Sequence, residues 1–125
     1  MLIQIDTQSG EPIYEQLRNQ VVFGIASGKL LPDEPMPSVR RLAADLGINL
    51  HTVNKAYTML CDEGYLVMDR RKGAVVSVKS TENGDVEPKT TKALTLAAAE
   101  ARCRGVELNS FLNQCKLCYE QIGGV

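Results

Sequence analysis

Apolar residues recur at helical spacing in five stretches of the chain and at strand spacing near its middle. The first helix is predicted to begin at Pro12 and to end at Gly28, and its apolar face carries Ile13, Leu17, Val21 and Ile25. Before this helix, residues 1–10 are predicted to form an extended arm, with a short strand at Leu2 to Ile5. After it, the proline-rich connector from Leu30 to Pro37 is expected to add a short strand to a later hairpin.

Two short helices follow, separated by a turn. The first has apolar residues at 39, 42, 43 and 46, with Ser38 as its N-cap and Gly47 at its end. The second is predicted from Leu50 to Glu63, with Asn49 as its N-cap and a buried stripe formed by Val53, Ala56, Tyr57 and Leu60. The polar residues that face outward near its N-terminal end are His51, Thr52, Asn54 and Lys55.

A basic hairpin comes directly after these helices. Tyr65 to Asp69 and Ala74 to Val78 are predicted to be strands, joined by a turn at Arg70-Arg71-Lys72-Gly73. Two helices across a short turn followed by a hairpin make a winged helix-turn-helix. The predicted fold class is therefore mainly α with a small β wing, and residues 1–80 form the winged domain.

The rest of the chain is predicted to be a polar linker at 81–90 and a helical hairpin at 91–125. One helix should end near Arg104 and the next should run from Glu107 to Ile122. Two such helices bury their apolar faces poorly on one another, so we expect them to pair with a second copy in a two-fold dimer. The alternative is that the hairpin folds back on its own winged domain. The residues assigned to this dimer contact are Leu94, Ala97, Ala101, Leu108, Phe111, Leu112, Cys115 and Tyr119.

Composition places the chain among soluble globular proteins, since 44% of its 125 residues are hydrophobic and 23% are charged. The net charge of −1 does not by itself indicate a nucleic-acid binder. Its distribution does, because residues 38–80 hold seven cations and four acids. A local positive field with modest total charge favours a site-specific regulator over a protein that coats DNA.

The polar residues on the second helix suit the reading of DNA bases. A major groove admits one helix, whose N-terminal side chains reach base edges while the preceding helix crosses the backbone. Asparagine can pair with adenine and arginine with guanine. The three consecutive cations Arg70, Arg71 and Lys72 suit phosphates or a narrow minor groove.

Several segments resemble the DNA-binding domain of the GntR family of bacterial transcription regulators. They are Met36 to Ala43, Asn49 to Tyr57, Leu60 to Leu66 and Lys72-Gly73. Within these segments, the sequences Val39-Arg40 and Asn54-Lys55-Ala56-Tyr57 are most similar to the YtrA subfamily. The resemblance is strong over residues 9–79 and rests on length and helix pattern beyond them.

The resemblance implies DNA contacts by Arg40, Asn49, His51, Thr52, Asn54, Arg70, Arg71, Lys72 and Gly73. Beside these, Ser38, Lys55 and Tyr57 are expected to hold phosphates. Control of a neighbouring operon and the lack of a large C-terminal ligand domain are also implied. The leading hypothesis is a repressor that binds an inverted repeat as a homodimer. A small-molecule effector is left open, and no cofactor is expected.

Three positions depart from the family pattern. Arg41 stands where many members carry an acid that completes a capping box, so either the helix starts more weakly or Arg41 contacts DNA. Leu50 replaces a residue that is often polar, which suggests a thymine methyl contact or simple exposure. The wing has Lys72-Gly73-Ala74 in place of Gly-x-Gly, so we expect a looser tip.

Other functions find less support in the sequence. Cys115-x-x-Cys118 with Cys103 suggests a thiol- or metal-sensing regulator. Zinc sites normally need a fourth ligand, however, and the only histidine of the chain, His51, lies among the predicted base-reading residues. A winged domain that docks a protein instead of DNA is the remaining alternative. No catalytic constellation accompanies His51, so an enzyme is not expected. Without a secretory signal or a long apolar run, the protein is expected to be cytoplasmic.

Overall fold

The computed structural model describes residues 3–122, which fold as two compact units divided between Lys79 and Ser80. The first unit contains α1 (Ile13–Ala26), α2 (Val39–Leu46), α3 (Leu50–Asp62), β1 (Leu66–Asp69) and β2 (Gly73–Val76). The second contains a short 3₁₀ turn (Glu82–Gly84), α4 (Pro88–Cys103) and α5 (Leu108–Ile122). This content confirms the predicted fold class of helices with a small β wing. Within residues 3–122, no helix has the length and apolar character needed to cross a membrane.

The core of the first unit lies where α1, α2 and α3 meet beneath the hairpin. The predicted stripe of α3 is buried, and Val53 and Leu60 have no exposed surface. Leu17 and Val21 of α1 are equally inaccessible, which confirms the apolar face of the first helix. The core residues are Leu17, Val21, Leu30, Met36, Leu42, Ala43, Val53, Ala56, Tyr57, Leu60, Leu66, Ala74 and Val76.

The N-terminal arm is held by side chains of α1. The amide of Gln16 is buried, donates to the backbone carbonyls of Asp6 (2.9 Å) and Glu11 (2.8 Å), and accepts from the N–H of Asp6. The N–H of Gln4 donates to Gln20. Because side chains take these backbone groups, Ile3 to Ile5 is not a strand, and that part of the prediction was wrong. Leu2 lies outside the described residues.

The turn between α2 and α3 is capped as the sequence predicts. The hydroxyl of Ser38 accepts from the N–H of Arg41 at 3.1 Å, and the side chain of Asn49 accepts from the N–H of His51 at 2.7 Å. Gly47 ends α2 with φ +66°, a left-handed conformation that glycine adopts without steric cost. These caps satisfy backbone groups that helix ends otherwise leave unpaired.

The wing is an antiparallel hairpin in which Leu66 pairs with Val76 and Asp69 with Gly73. The connector contributes the expected extra strand in a reduced form, a single bridge between Pro35 and Val75. Around this bridge, backbone N–H groups donate from Met36 to Ala74 and from Val76 to Glu34, at 2.8 and 2.9 Å. The hairpin is therefore attached to the segment that leads into α2.

An ion pair joins α1 to the end of α3. The guanidinium of Arg18 donates to both carboxylate oxygens of Glu63, at 3.0 and 2.8 Å, and lies 5.5 Å from the ring centroid of Tyr65. Its side chain and that of Glu63 are 22% and 15% exposed. Bidentate geometry and partial burial make this contact more stabilising than an exposed surface pair.

The second unit has no buried core of its own among its described residues. Neither α4 nor α5 contains a buried residue. Ala98, Ala101, Phe111 and Cys115 are half-buried, whereas Leu108 and Leu112 are 69% and 53% exposed. Two amphipathic helices thus leave most of their apolar surface uncovered.

A hydrogen bond from Tyr57 links α3 to the residue before the N-cap of α2. The tyrosine hydroxyl donates to the backbone carbonyl of Pro37 at 2.7 Å, and the residue is 4% exposed. Burial raises the pKa of Tyr57 above its ordinary value, because the phenolate would lose its hydration.

Tyr57→Phe is expected to lower the free energy of unfolding by about 1 kcal/mol, since it deletes one buried hydrogen bond. A raised folded-state pKa contributes stability below the unfolded pKa of about 10, and this contribution is lost as the pH rises above it. The parent should therefore lose stability in alkali more steeply than the variant, as measured by urea unfolding between pH 8 and pH 11. Thr58→Val, which removes an exposed hydroxyl on the same helix, serves as the control and should change neither quantity.

Candidate nucleic-acid interface

The N-terminal half of α3 presents polar side chains to solvent. His51, Asn54 and Lys55 are exposed, as the sequence predicts, whereas Thr52 is half-buried. Leu50 packs partly against the core, so its apolar side chain serves the fold of the first unit. The outward face of α3 is thus made of short hydrogen-bonding groups and one lysine, which suits base edges in a major groove.

The N-terminal end of α2 carries two exposed arginines with different surroundings. Arg41 Nε lies 3.8 Å from Asp45 Oδ2, one helical turn along the same helix. Within residues 3–122, Arg40 forms no ion pair. Arg40 therefore keeps an uncompensated charge and all its donors, while part of the charge of Arg41 is offset. Ser38 is exposed beside them, with its hydroxyl oxygen already accepting the cap bond.

The wing tip is organised by Asp69, which the sequence analysis did not single out. Its carboxylate accepts from the backbone N–H groups of Arg71 at 2.8 Å and Lys72 at 3.0 Å. These two hydrogen bonds hold the pKa of Asp69 below its ordinary value. Gly73 closes the turn with φ +75°. The tip is therefore tightly turned, contrary to the expectation of a looser one, and aspartate before a turn was the available signal.

The cationic side chains at the wing tip point away from the fold. Arg70, Arg71 and Lys72 are exposed, and Gly73 is half-buried. Because Asp69 is engaged by backbone N–H groups, its carboxylate orders the loop that displays these cations. The tip can therefore offer three charged donors to a polyanion from one short loop.

Tyr57 lies beneath the exposed polar surface of α2, α3 and the wing and is not part of that surface. Its side chain is buried and its hydroxyl is already bonded to Pro37. This geometry corrects the expectation of a phosphate contact, because such a contact needs an accessible donor. The side chain acts indirectly, by tying α3 to the start of α2.

Lys55 contacts a residue that the sequence analysis also missed. Its ammonium nitrogen lies 3.9 Å from the centroid of the Tyr14 ring, in the first turn of α1. Tyr14 and Lys55 are forty-one residues apart in the chain, so no local spacing reveals this pair.

The cysteines form no site together with acids or histidine in the described part of the chain, where no cluster of potential metal ligands is found. Cys103 and Cys118 are exposed, whereas Cys61 and Cys115 are half-buried. Burial raises the pKa of Cys61, which makes its thiol less reactive. The geometry thus adds nothing to a metal- or thiol-sensing function.

Comparison with known proteins agrees with this geometry. The model of the gntR family of bacterial regulatory proteins matches residues 11–76. The HTH-type transcriptional regulator Rv1152 of Mycobacterium tuberculosis is 36% identical over 75 residues, covering 60% of this chain and 62% of that protein. The HTH-type transcriptional repressor YtrA of Bacillus subtilis is 37% identical over 110 residues, covering 86% of this chain and 84% of that protein.

Solved structures show the same relationship. YtrA from Sulfolobus acidocaldarius, a GntR-family transcription factor, superposes with a TM-score of 0.65 at 37% identity, over 80% of this chain and 99% of that one. The DNA-binding domain of AraR in complex with the operator ORX1 superposes with a TM-score of 0.54 at 27% identity, over 62% and 99%. The chain therefore belongs to the gntR family of bacterial regulatory proteins, as a DNA-binding transcriptional regulator.

Proposed function

We propose that this protein represses transcription by binding an inverted-repeat operator as a homodimer. The observation that carries the proposal is the first unit, in which the polar face of α3, Arg40 and the ordered wing are all exposed. Two relatives with matching sequence or fold support it. One is named a repressor, and the other is a DNA-binding domain bound to its operator.

In this proposal the first unit reads bases with α3 and holds phosphates around it. Asn49, His51, Thr52 and Asn54 contact base edges in the major groove, although the side-chain oxygen of Asn49 also caps α3. Arg40 contacts a guanine or a neighbouring phosphate. The groups assigned to phosphates or the minor groove are Ser38, Arg41, Lys55, Arg70, Arg71, Lys72 and the backbone of Gly73.

The second unit supplies the dimer contact. Its helices bury no residue within one copy, and an uncovered apolar face of this kind indicates a protein interface. A two-fold pairing of identical faces covers both copies at once, and it matches an operator whose half-sites lie about one turn, roughly 34 Å, apart. The proposed contact residues are Leu94, Ala97, Ala101, Leu108, Phe111, Leu112, Cys115 and Tyr119. A small-molecule effector would bind between two copies of this unit, since α4 and α5 bury no residue within the described part of one copy.

The adjacent arginines of α2 provide a matched pair of variants. Arg40→Ala is expected to weaken binding to operator DNA by about 1 to 3 kcal/mol if Arg40 pairs with guanine, and to leave binding to shuffled DNA nearly unchanged. Arg41→Ala should weaken both DNAs alike, because a phosphate contact carries no sequence information. The affinities are measured by fluorescence anisotropy at several salt concentrations. One duplex comes from upstream of the protein's own gene, and the other is shuffled DNA of equal length.

The unmodified protein is the reference in this experiment and should prefer the upstream DNA. Equal losses on both DNAs for both variants would contradict the division between base readers and phosphate holders. A parent that does not bind any duplex, even at low salt, would reject the proposed function itself.

The wing offers a second prediction. Asp69→Ala removes the acceptor for two backbone N–H groups, so the tip should loosen and DNA affinity should fall several-fold. Because the folded pKa of Asp69 is lowered, its contribution is present above the unfolded pKa of about 4 and is lost as the pH falls below it. Hydrogen exchange of the Arg71 and Lys72 amides measures the loosening directly. Asp85→Ala, at an exposed acid outside the wing, is the control, and similar losses from both variants would point to net charge alone.

The dimer contact is tested with two leucines of α5 that are similarly exposed, at 53% for Leu112 and 51% for Leu117. At 3.6 residues per turn, Leu117 lies about 160° around the helix from the interface residue Cys115. Leu112→Glu should yield monomers in sedimentation velocity, because a carboxylate would be buried in the apolar contact. Leu117→Glu should remain dimeric. Dimers from both variants, or monomers from both, would count against the assigned face of α5.

A further inference from the structure

The contact between Tyr14 and Lys55 joins the first turn of α1 to the exposed face of α3. We propose that Tyr14 is a positioning residue for DNA binding, because its ring holds the Lys55 ammonium where a phosphate of the DNA backbone is to be met. The inference rests on the proposed function, since it assigns a role within the DNA-binding surface of the first unit. Tyr14 itself need not touch DNA.

Lys55 differs from the paired cations in how its charge is held. Arg18, Arg41 and Lys116 each lie within 4 Å of a carboxylate, which offsets their charge. Within residues 3–122, Lys55 forms no such ion pair, and its ammonium lies over an aromatic ring instead. A ring attracts a cation through its quadrupole and carries no net charge. The contact with Tyr14 therefore fixes the direction of Lys55 and leaves its full charge available to an anion.

The position of Lys55 on α3 places this charge at the border of the exposed face. Its neighbour Asn54 is also exposed, whereas Val53 and Ala56, which flank these two residues in the chain, are buried in the core. The Lys55 side chain therefore lies next to the buried face of α3, where it contacts the half-buried ring of Tyr14 on α1. A cation flanking the base-reading residues is where a helix in the major groove meets the DNA backbone.

Holding the lysine in advance changes the affinity in a predictable direction. A lysine side chain has four rotatable carbon–carbon bonds, and ordering it on binding lowers affinity by about two- to ten-fold. If Tyr14 orders Lys55 before DNA arrives, that loss is already borne by the free protein. The opposite effect is equally definite, because a ring that draws the ammonium away from DNA would weaken binding, and its removal would strengthen it.

The experiment is a double-mutant cycle on a duplex of random sequence at low salt, because a phosphate contact needs no operator. The variants are Tyr14→Leu, Lys55→Met and the double variant, with Tyr14→Phe as the control that keeps the ring. Tyr14→Leu should weaken binding about two- to ten-fold, and Tyr14→Phe should bind like the parent. Lys55→Met should also lower the slope of log affinity against log salt by about one.

The decisive quantity is the change in DNA affinity that Tyr14→Leu causes in the Lys55→Met background. We expect no further loss in the double variant, whereas a general loosening of α1 would weaken binding equally with or without the lysine. Equal losses in both backgrounds, unchanged affinity of Tyr14→Leu, or tighter binding by it would each overturn the positioning role while DNA binding itself stands. Failure of the parent to bind any duplex would reject the proposed function and this inference together.

Discussion

The structure of the first unit depends on burial of one face of α3. Val53 and Leu60 are inaccessible, and so is the small Ala56 between them. Removing this apolar surface from water is the main favourable term, and it fixes the rotation of α3 about its own axis. Once that rotation is set, the polar residues of the opposite face have no direction left but outward. The exposed polar face of α3 is therefore a consequence of the packing face.

Contacts around this core then determine which charges are available. Glu63 engages Arg18 at the junction of α1 and α3, and Asp45 lies beside Arg41. Asp69 is occupied by backbone N–H groups of the wing, so it orders the tip while three cations remain exposed there. These acids serve structure, and the exposed cations of the wing tip make that part of the unit locally positive although the chain has a net charge of −1.

The two units differ in how much apolar surface each buries within one copy of the chain. The first encloses a core of about a dozen apolar residues and is braced by caps, an ion pair and a hairpin bridge. The second has no buried residue within the described part of α4 and α5, so its helices need a further surface to be stable. In the proposed dimer, a second copy would supply that surface and would also create a two-fold DNA-binding surface.

Local chemistry made much of this protein predictable from its sequence. The caps at Ser38 and Asn49, the stop at Gly47 and the stripe of α3 depend on residues within one or two turns, so spacing alone identified them. Other features depend on residues that are distant in the chain. The pairing of Tyr14 with Lys55, the bond from Tyr57 to Pro37 and the arm held by Gln16 were decided by tertiary structure, because side-chain partners are chosen by packing and not by spacing.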